Sequence, residues 1–120
     1  MFILNIVFSL VLPVTYIIIG LIFTKRPPEK INDIAGWRTK SAMRDQETWK
    51  FANNYGGKCF IYLGIVELIF TLLIMIVMIF VFDTSQYIKD IVTLIVVMLQ
   101  FVLLIPCIFK VEKAIRKEFY

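Results

Sequence analysis

With 120 residues, the chain has room for one domain. Hydrophobic residues make up 60% of it, above the about 45–50% of an ordinary soluble domain, which indicates a membrane protein. Two cysteines are too few for a disulfide framework, and the absence of histidine removes the commonest transition-metal ligand and the usual general base near neutral pH. The net charge of +4 does not indicate nucleic-acid binding, because no folded basic domain is present to carry it.

Three apolar runs, at residues 2–24, 59–82 and 91–109, are long enough to cross a membrane. A span needs about 20 apolar residues to cross a hydrocarbon core about 30 Å thick. The first and third runs carry no charge, and the second carries only Glu67. The sequence therefore predicts an all-α polytopic membrane protein, with a single transmembrane domain over residues 1–120 and three transmembrane helices.

The distribution of basic residues predicts which side of the membrane each polar segment faces. Residues 25–58 contain eight lysines and arginines, residues 83–90 contain one, and residues 110–120 contain four. Segments rich in Lys and Arg stay in the cytoplasm. We therefore expect a multi-pass protein whose N-terminus lies outside and whose C-terminus is cytoplasmic. Contact of the basic segments with anionic membrane lipid is a second expected effect.

The cytoplasmic segment 25–58 contains signals for the end of one helix and the start of the next. Pro27-Pro28 predicts that the first helix stops just outside the membrane. Asp45 is a good N-cap for a helix from Gln46 onward. Gly56-Gly57 either breaks this helix or lets it continue, because glycine is common in membrane helices. We expect the segment to continue into the second transmembrane helix.

Each apolar run contains small and polar residues at helical spacing, which indicates a face turned towards neighbouring helices. In the first run these residues are Asn5, Ser9, Pro13, Tyr16 and Gly20. On the second helix they are Trp49, Asn53, Gly56, Phe60, Gly64, Glu67 and Thr71. In the third run they are Thr93, Gln100 and Cys107.

Counting residues from the ends of the runs places Thr15, Glu67 and Gln100 at a common depth of roughly 12–14 Å. A carboxylate in hydrocarbon costs at least about 2.5–3.5 kcal/mol, so it needs a partner or a proton. The spacing predicts a polar layer in which Glu67 faces Thr15 or Gln100. Two interpretations remain open, namely a buried structural acid and a proton-coupled or ligand-contacting acid.

Residues 36–49, GWRTKSAMRDQETW, are unusually polar for a connection between two apolar runs. Trp37 and Trp49 suit a membrane interface, and Arg38 is able to grip a phosphate or a carboxylate. One interpretation is an ordinary interfacial loop with snorkelling cations. The other is an ordered segment that bends at Gly36 and folds back against the end of the bundle, with Trp49 and Asn53 as its docking face.

The run GWRTKSAM, followed by Trp49, Ala52-Asn53 and Gly57-Lys58, resembles the signature of the SdpI family of bacterial membrane proteins. The resemblance covers roughly residues 27 to 70 and agrees with a short, three-span form. The signature residues that it identifies are Gly36, Trp37, Arg38, Thr39, Ser41, Trp49, Asn53 and Gly57.

The resemblance implies an integral protein of the bacterial cell membrane. The family takes its name from an immunity protein that guards its producer against a secreted, membrane-active killing peptide. That protein also takes part in signalling by holding a transcriptional repressor at the membrane. The partners implied are therefore a peptide toxin or a cytoplasmic regulator. The family implies no cofactor and no catalytic role for the signature residues.

Two other classes of function follow from the residues themselves. The polar layer around Glu67 is compatible with a small transport or channel subunit, which requires a homo-oligomer because three helices leave little room for a pore. An enzyme is not expected, since the sequence shows no metal-ligand cluster, no nucleophile paired with a base and no glycine-rich phosphate loop.

Overall fold

The computed structural model describes residues 2–32, 36–80 and 85–120, and these form helices joined by short irregular segments. The helices are α1 (Phe2–Lys25), α2 (Gln46–Phe80), α3 (Gln86–Val102) and α4 (Leu104–Phe119). By length and composition, Phe2–Lys25, Gln46–Phe80 and Gln86–Phe119 are each able to cross a membrane. The predicted all-α architecture with three membrane-spanning helices is confirmed. The predicted end of the second span, at residues 81–82, lies outside the described residues.

The long helix α2 begins where the sequence predicts. The Oδ1 atom of Asp45 accepts the backbone N–H of Thr48 at 2.8 Å and the Thr48 hydroxyl at 2.7 Å, which is N-cap geometry. The helix then runs for 35 residues without a break at Gly56-Gly57. At 1.5 Å per residue this is about 52 Å, close to the 54 Å longest dimension of the molecule. The polar segment therefore continues into the membrane as one rigid helix.

The third span is divided at Leu103, which the sequence analysis did not predict. Helix α3 ends at Val102 and α4 begins at Leu104. Pro106 accounts for this break, because proline has no N–H to donate to the carbonyl four residues earlier and its ring crowds that carbonyl. The two helices still follow one another as a single membrane-length element over Gln86–Phe119.

Helices α1 and α2 form the most extensive contact of the bundle, and glycines make it possible. A Cβ atom built on Gly20 would lie 2.5 Å from the Gly57 carbonyl oxygen, and one built on Gly57 would lie 2.9 Å from the Gly20 carbonyl oxygen. A Cβ on Gly64 would lie 2.7 Å from the Pro13 carbonyl oxygen. Small residues let membrane helices approach backbone to backbone in this way.

The faces predicted to point inward are buried. All five residues of the α1 face are buried, and so are Thr93, Gln100 and Cys107 of the third span. On α2 the predicted face is buried except for Phe60, which is half-buried. The outer faces expose leucine, isoleucine, valine and phenylalanine, as expected for helices in contact with lipid.

We expect Gly57→Leu to separate α1 from α2, because no side chain fits between the two backbones. Overpacking of a tight contact costs about 1–3 kcal/mol, and more where backbone must move. The thermal melting temperature of the purified protein in detergent should fall. Val14→Leu, which adds bulk at an exposed position of α1, is the control and should melt like the parent. Equal melting of both variants would contradict the close α1–α2 contact.

Candidate functional site

The candidate site is the segment 36–45 together with the helix surfaces that it covers. We call this end of the bundle, where α1 ends, α2 begins and α4 ends, the motif end. The segment ends at Asp45, which caps the start of α2. The Thr48 backbone N–H and then the Thr48 hydroxyl donate to Asp45, and with a smaller contribution from Arg44 they hold the pKa of that carboxyl below its usual value.

Gly36 bends the chain onto α2, in a conformation that favours glycine. Its φ of +108° lies in the left-handed region, where side chains are strained. A Cβ there would also lie 2.7 Å from two ring atoms of Trp49 and 2.9 Å from Oδ1 of Asn53. Glycine is therefore required at this position both by backbone conformation and by space.

The side chain of Asn53 fastens the segment to the helix. Its Oδ1 atom accepts the backbone N–H of Trp37 at 2.8 Å, and its Nδ2 atom donates to the Trp49 carbonyl oxygen at 2.8 Å. Asn53 is completely buried. A buried amide whose donor and acceptor are both used fixes the register of the segment against α2, because either bond is costly to lose in a desolvated site.

The indole of Trp37 fills the space that Gly56 leaves open. A Cβ on Gly56 would lie 2.6 Å from the Trp37 ring, and the Trp37 and Phe60 ring centroids are 5.5 Å apart. Trp37 Nε1 donates to Oε1 of Glu112 on α4 at 3.1 Å. The second carboxylate oxygen of Glu112 accepts the Ser41 hydroxyl. Glu112 therefore connects the segment to the last helix.

The other tryptophan holds the chain that leaves α1. Trp49 is fully buried, and its Nε1 atom donates to the Pro28 carbonyl oxygen at 2.8 Å. The Gln46 side-chain amide donates to the Glu29 carbonyl oxygen nearby. One turn of α2 thus anchors the chain on both sides of the undescribed residues 33–35.

The C-terminal residues close over the segment from the opposite side. The Tyr120 hydroxyl donates to the Ser41 carbonyl oxygen at 3.1 Å, and Arg44 donates to the Phe119 carbonyl oxygen at 2.7 Å. The Arg44 guanidinium also lies 4.3 Å from the centre of the Tyr120 ring, within cation–π distance. The segment is therefore held by α2 and by α4.

The structure brings together most of the residues singled out from the sequence. Six signature residues lie in this one cluster: Gly36, Trp37, Thr39, Ser41, Trp49 and Asn53. Gly57 serves instead in the contact with α1, and Arg38 is exposed at the surface. The contacts of Glu112 with Trp37 and Ser41, and of Pro28 with Trp49, were not predictable from the sequence, because they join residues far apart in the chain. The expectation that the segment folds back onto the bundle is confirmed.

Deeper in the bundle lies a polar layer that includes Glu67 and Gln100 of the predicted residues, together with Ser9, Tyr16 and Thr71. The Gln100 amide donates to the Ser9 carbonyl oxygen and to the Thr71 hydroxyl, both at 2.9 Å. The Tyr16 hydroxyl lies 3.4 Å from the Gln100 carbonyl oxygen. Glu67, one turn before Thr71 on α2, is only 3% exposed. Among the described residues, neither of its carboxylate oxygens nor Oε1 of Gln100 has a hydrogen-bond partner.

The inclusion of Thr15 in this layer was wrong. Thr15 is half-buried, and its hydroxyl donates to the Val11 carbonyl oxygen of its own helix at 2.6 Å. A residue count from the end of a helix gives depth but not direction. Thr15 is turned about 100° from Tyr16 around the helix axis, and it is Tyr16 that faces the bundle.

A second polar cluster, which the sequence analysis missed, lies at the opposite end of the bundle. The Asn5 amide donates to Oδ1 of Asp90 at 3.0 Å and to the Thr93 hydroxyl at 2.9 Å, and Gln86 donates to Oδ1 of Asn5 at 2.8 Å. This cluster joins the start of α1 to the start of α3. Within residues 2–32, 36–80 and 85–120, no group of three His, Cys, Asp or Glu side chains is placed to hold a metal ion.

Comparison with known proteins agrees with this arrangement. The model of the SdpI/YfhL protein family matches residues 29–110, which is well over half of the chain and includes all six signature residues of the cluster. The chain belongs to the SdpI/YfhL family. It is 40% identical over 50 residues to the protein YfhL of Bacillus subtilis (strain 168). The predicted family is confirmed.

The relationship to YfhL is a partial one. The aligned residues are 42% of this chain and 46% of the relative, so the chain matches about half the length of that protein. No solved structure matches the chain.

We expect Trp49→Ala to lower the free energy of unfolding by about 3–5 kcal/mol, as large-to-small substitutions of buried aromatic residues do. The variant loses the indole under Gly36 and the bond to the Pro28 carbonyl. The measurement is chemical or thermal unfolding in detergent. Phe109→Ala removes a ring of comparable size that is 68% exposed, and it should unfold close to the parent. A similar loss in both variants would show that Trp49 is not a specific anchor.

Proposed function

We propose that this SdpI-family membrane protein protects a bacterial cell membrane against a membrane-active killing peptide by binding that peptide at the membrane surface. The main support for this proposal is the position of the family's signature residues in the structure. Six of them form one ordered cluster at the motif end, and we call its outer surface, residues 37–41 with the end of α4, the platform. A connecting loop would need no particular residues. No signature residue has the surroundings of a catalytic group, so the proposed role is binding.

The platform offers a surface suited to a peptide carboxylate or main-chain amide. A cleft of about 580 Å³ is lined by Thr39, Lys40, Ser41, Glu112, Arg116 and Tyr120. Exposed Arg38 lies immediately before it in the chain. Arginine binds carboxylate oxygens through two parallel N–H groups, which gives both strength and direction. We propose Arg38 as the principal contact of the platform.

The proposed orientation follows from the basic residues. It places the N-terminus outside the cell, and the platform and C-terminus in the cytoplasm. A killing peptide that has inserted into the membrane would then meet the platform from the inner surface. A cytoplasmic regulator, the other partner that the family suggests, would have access to the same surface.

The test is a growth assay in a peptide-sensitive bacterial strain that expresses the chain. We expect the parent to raise the concentration of a hydrophobic membrane-active peptide that stops growth, across a small panel of such peptides. Arg38→Lys should lose about tenfold of that protection, the equivalent of one charge-assisted hydrogen bond. Its melting temperature is measured in parallel, so that a loss of protection through misfolding is distinguished from a loss of binding.

Lys113→Arg exchanges one exposed cation for another outside the cleft, and it is the control that should protect like the parent. Absence of protection by the parent against every peptide in the panel would overturn the proposed function. Full protection by Arg38→Lys would show that Arg38 is not the principal contact with the peptide, and the proposed function itself would stand.

A transport or channel role is a second candidate, favoured by the Glu67 layer. Three buried acceptor atoms, the two oxygens of Glu67 and Oε1 of Gln100, lie without donors among the described residues. Such a group suits a proton or a small cation in transit. Three packed helices leave little room for a pore, so this role also requires a homo-oligomer.

Under this second proposal we expect liposomes that contain the parent to pass protons or potassium ions. Glu67→Gln should abolish the flux, because it removes the acid from the buried layer. Asp90→Asn replaces an acid of the opposite cluster and is the control that should retain the flux. Liposomes that are no leakier than protein-free ones would contradict a transport role.

A further inference from the structure

The third span packs only loosely against α2 over the length of α3. Helix α1 packs against both α2 and α3, and α2 packs against α4, but α2 and α3 barely touch. Two grooves follow this seam. One of about 400 Å³ lies between the second half of α2 and the start of α3, and one of about 480 Å³ lies nearer the motif end. The helix break at Leu103 and Pro106 forms a wall of the second groove.

The two grooves differ in chemistry along the seam. The first is lined by apolar side chains alone, among them Phe70, Val77 and Ile88. The second has an apolar floor that includes Leu63, and its rim carries Lys58 from α2 and Lys110 from α4. Both lysines are exposed and stand directly at the ends of the apolar runs 59–82 and 91–109. The seam therefore carries two largely apolar grooves, and two lysines line only the one nearer the motif end.

The lining argues against another helix as the occupant. Helices that pack in membranes meet through small residues, as α1 and α2 do at Gly20, Gly57 and Gly64. Among the described residues, no glycine, alanine, serine or threonine lines either groove. A free anion would bind the two lysines without using the apolar slot below them. The chemistry matches an amphiphile with one anionic head and a hydrocarbon tail.

We propose that the seam is a binding site for an anionic phospholipid. Its phosphate lies between Lys58 and Lys110, in a groove that Tyr55 and Tyr62 also line. One acyl chain lies on Leu63 and continues towards the apolar groove. Basic residues from two helices that converge at the level of the lipid head groups are the usual form of such a site. This inference is independent of the proposed function.

The test measures lipid binding to the full chain in detergent by native mass spectrometry. The probes are dioleoyl phosphatidylglycerol, dioleoyl phosphatidylcholine and glycerol 3-phosphate, which is a head group without acyl chains. We expect the parent to prefer phosphatidylglycerol over phosphatidylcholine by about tenfold or more, the effect of two basic residues near the head group. Glycerol 3-phosphate should compete poorly.

The double variant Lys58→Gln/Lys110→Gln should lose this preference. Lys113→Gln/Lys117→Gln removes the same charge from the same end, outside the grooves, and should keep it. If the double variant melts early, the single variants Lys58→Gln and Lys110→Gln replace it. Each should lower the preference by a few-fold. Leu63→Trp, which fills the floor, should weaken the binding of both lipids.

Three results would overturn the proposal. The first is the lack of a lysine-dependent preference for phosphatidylglycerol over phosphatidylcholine, seen either as equal binding by the parent or as the same preference in the Lys58/Lys110 and Lys113/Lys117 variants. The second is full competition by glycerol 3-phosphate, which would indicate an anion site without an acyl slot. The third is a dimer in the mass spectrum that Leu63→Trp abolishes, which would assign the seam to a second copy of the chain.

Discussion

The buried amide of Asn53 fixes the position of the segment 36–45 on α2. It accepts the Trp37 N–H and donates to the Trp49 carbonyl, each at 2.8 Å, in a position with no access to solvent. The left-handed conformation of Gly36 and the absence of a side chain at Gly56 let the chain approach α2 closely enough to make this bond. A buried amide that loses a partner pays the full desolvation cost of the unmatched group, about 1–3 kcal/mol. The segment therefore has one stable position on α2.

The same helix connects the platform to the interior of the membrane. Helix α2 carries Trp49 and Asn53 at the motif end, Gly57 and Gly64 against α1, and Glu67 and Thr71 in the polar layer. The helix is continuous and presents all these residues on inward-facing positions, so a change of tilt at one level moves the others. The cluster at the motif end and the buried polar layer are therefore carried by one continuous helix.

Much of this architecture follows from helical periodicity. The inward faces of α1 and the third span were predictable from Asn5, Ser9, Pro13, Tyr16, Gly20, Thr93, Gln100 and Cys107, since polar and small residues at helical spacing leave few alternatives in a membrane. Asp45 predicted the start of α2 for an equally local reason. Thr15 was assigned wrongly because depth alone does not give direction around a helix. The break at Leu103 had a signal in Pro106, which the length of the apolar run concealed.

The candidate site was predictable only in part. The glycines and tryptophans marked the segment, but the partners that hold it are distant in sequence: Glu112 is 75 residues from Trp37, and Pro28 is 21 residues from Trp49. Side-chain periodicity contains no information about such pairs. The first depends on how α4 packs beside α2, and the second on how the chain that leaves α1 passes the start of α2.

The most direct test of the central claim is amide hydrogen exchange at Trp37 in the purified protein. If Asn53 holds this N–H as the structure shows, the Trp37 amide should exchange at least about 100-fold more slowly than that of exposed Lys40 in the same segment. Asn53→Ala should remove most of this protection while α2 stays helical. Exchange of Trp37 at the rate of Lys40 in the parent would contradict an ordered platform and would show that the segment is an ordinary interfacial loop.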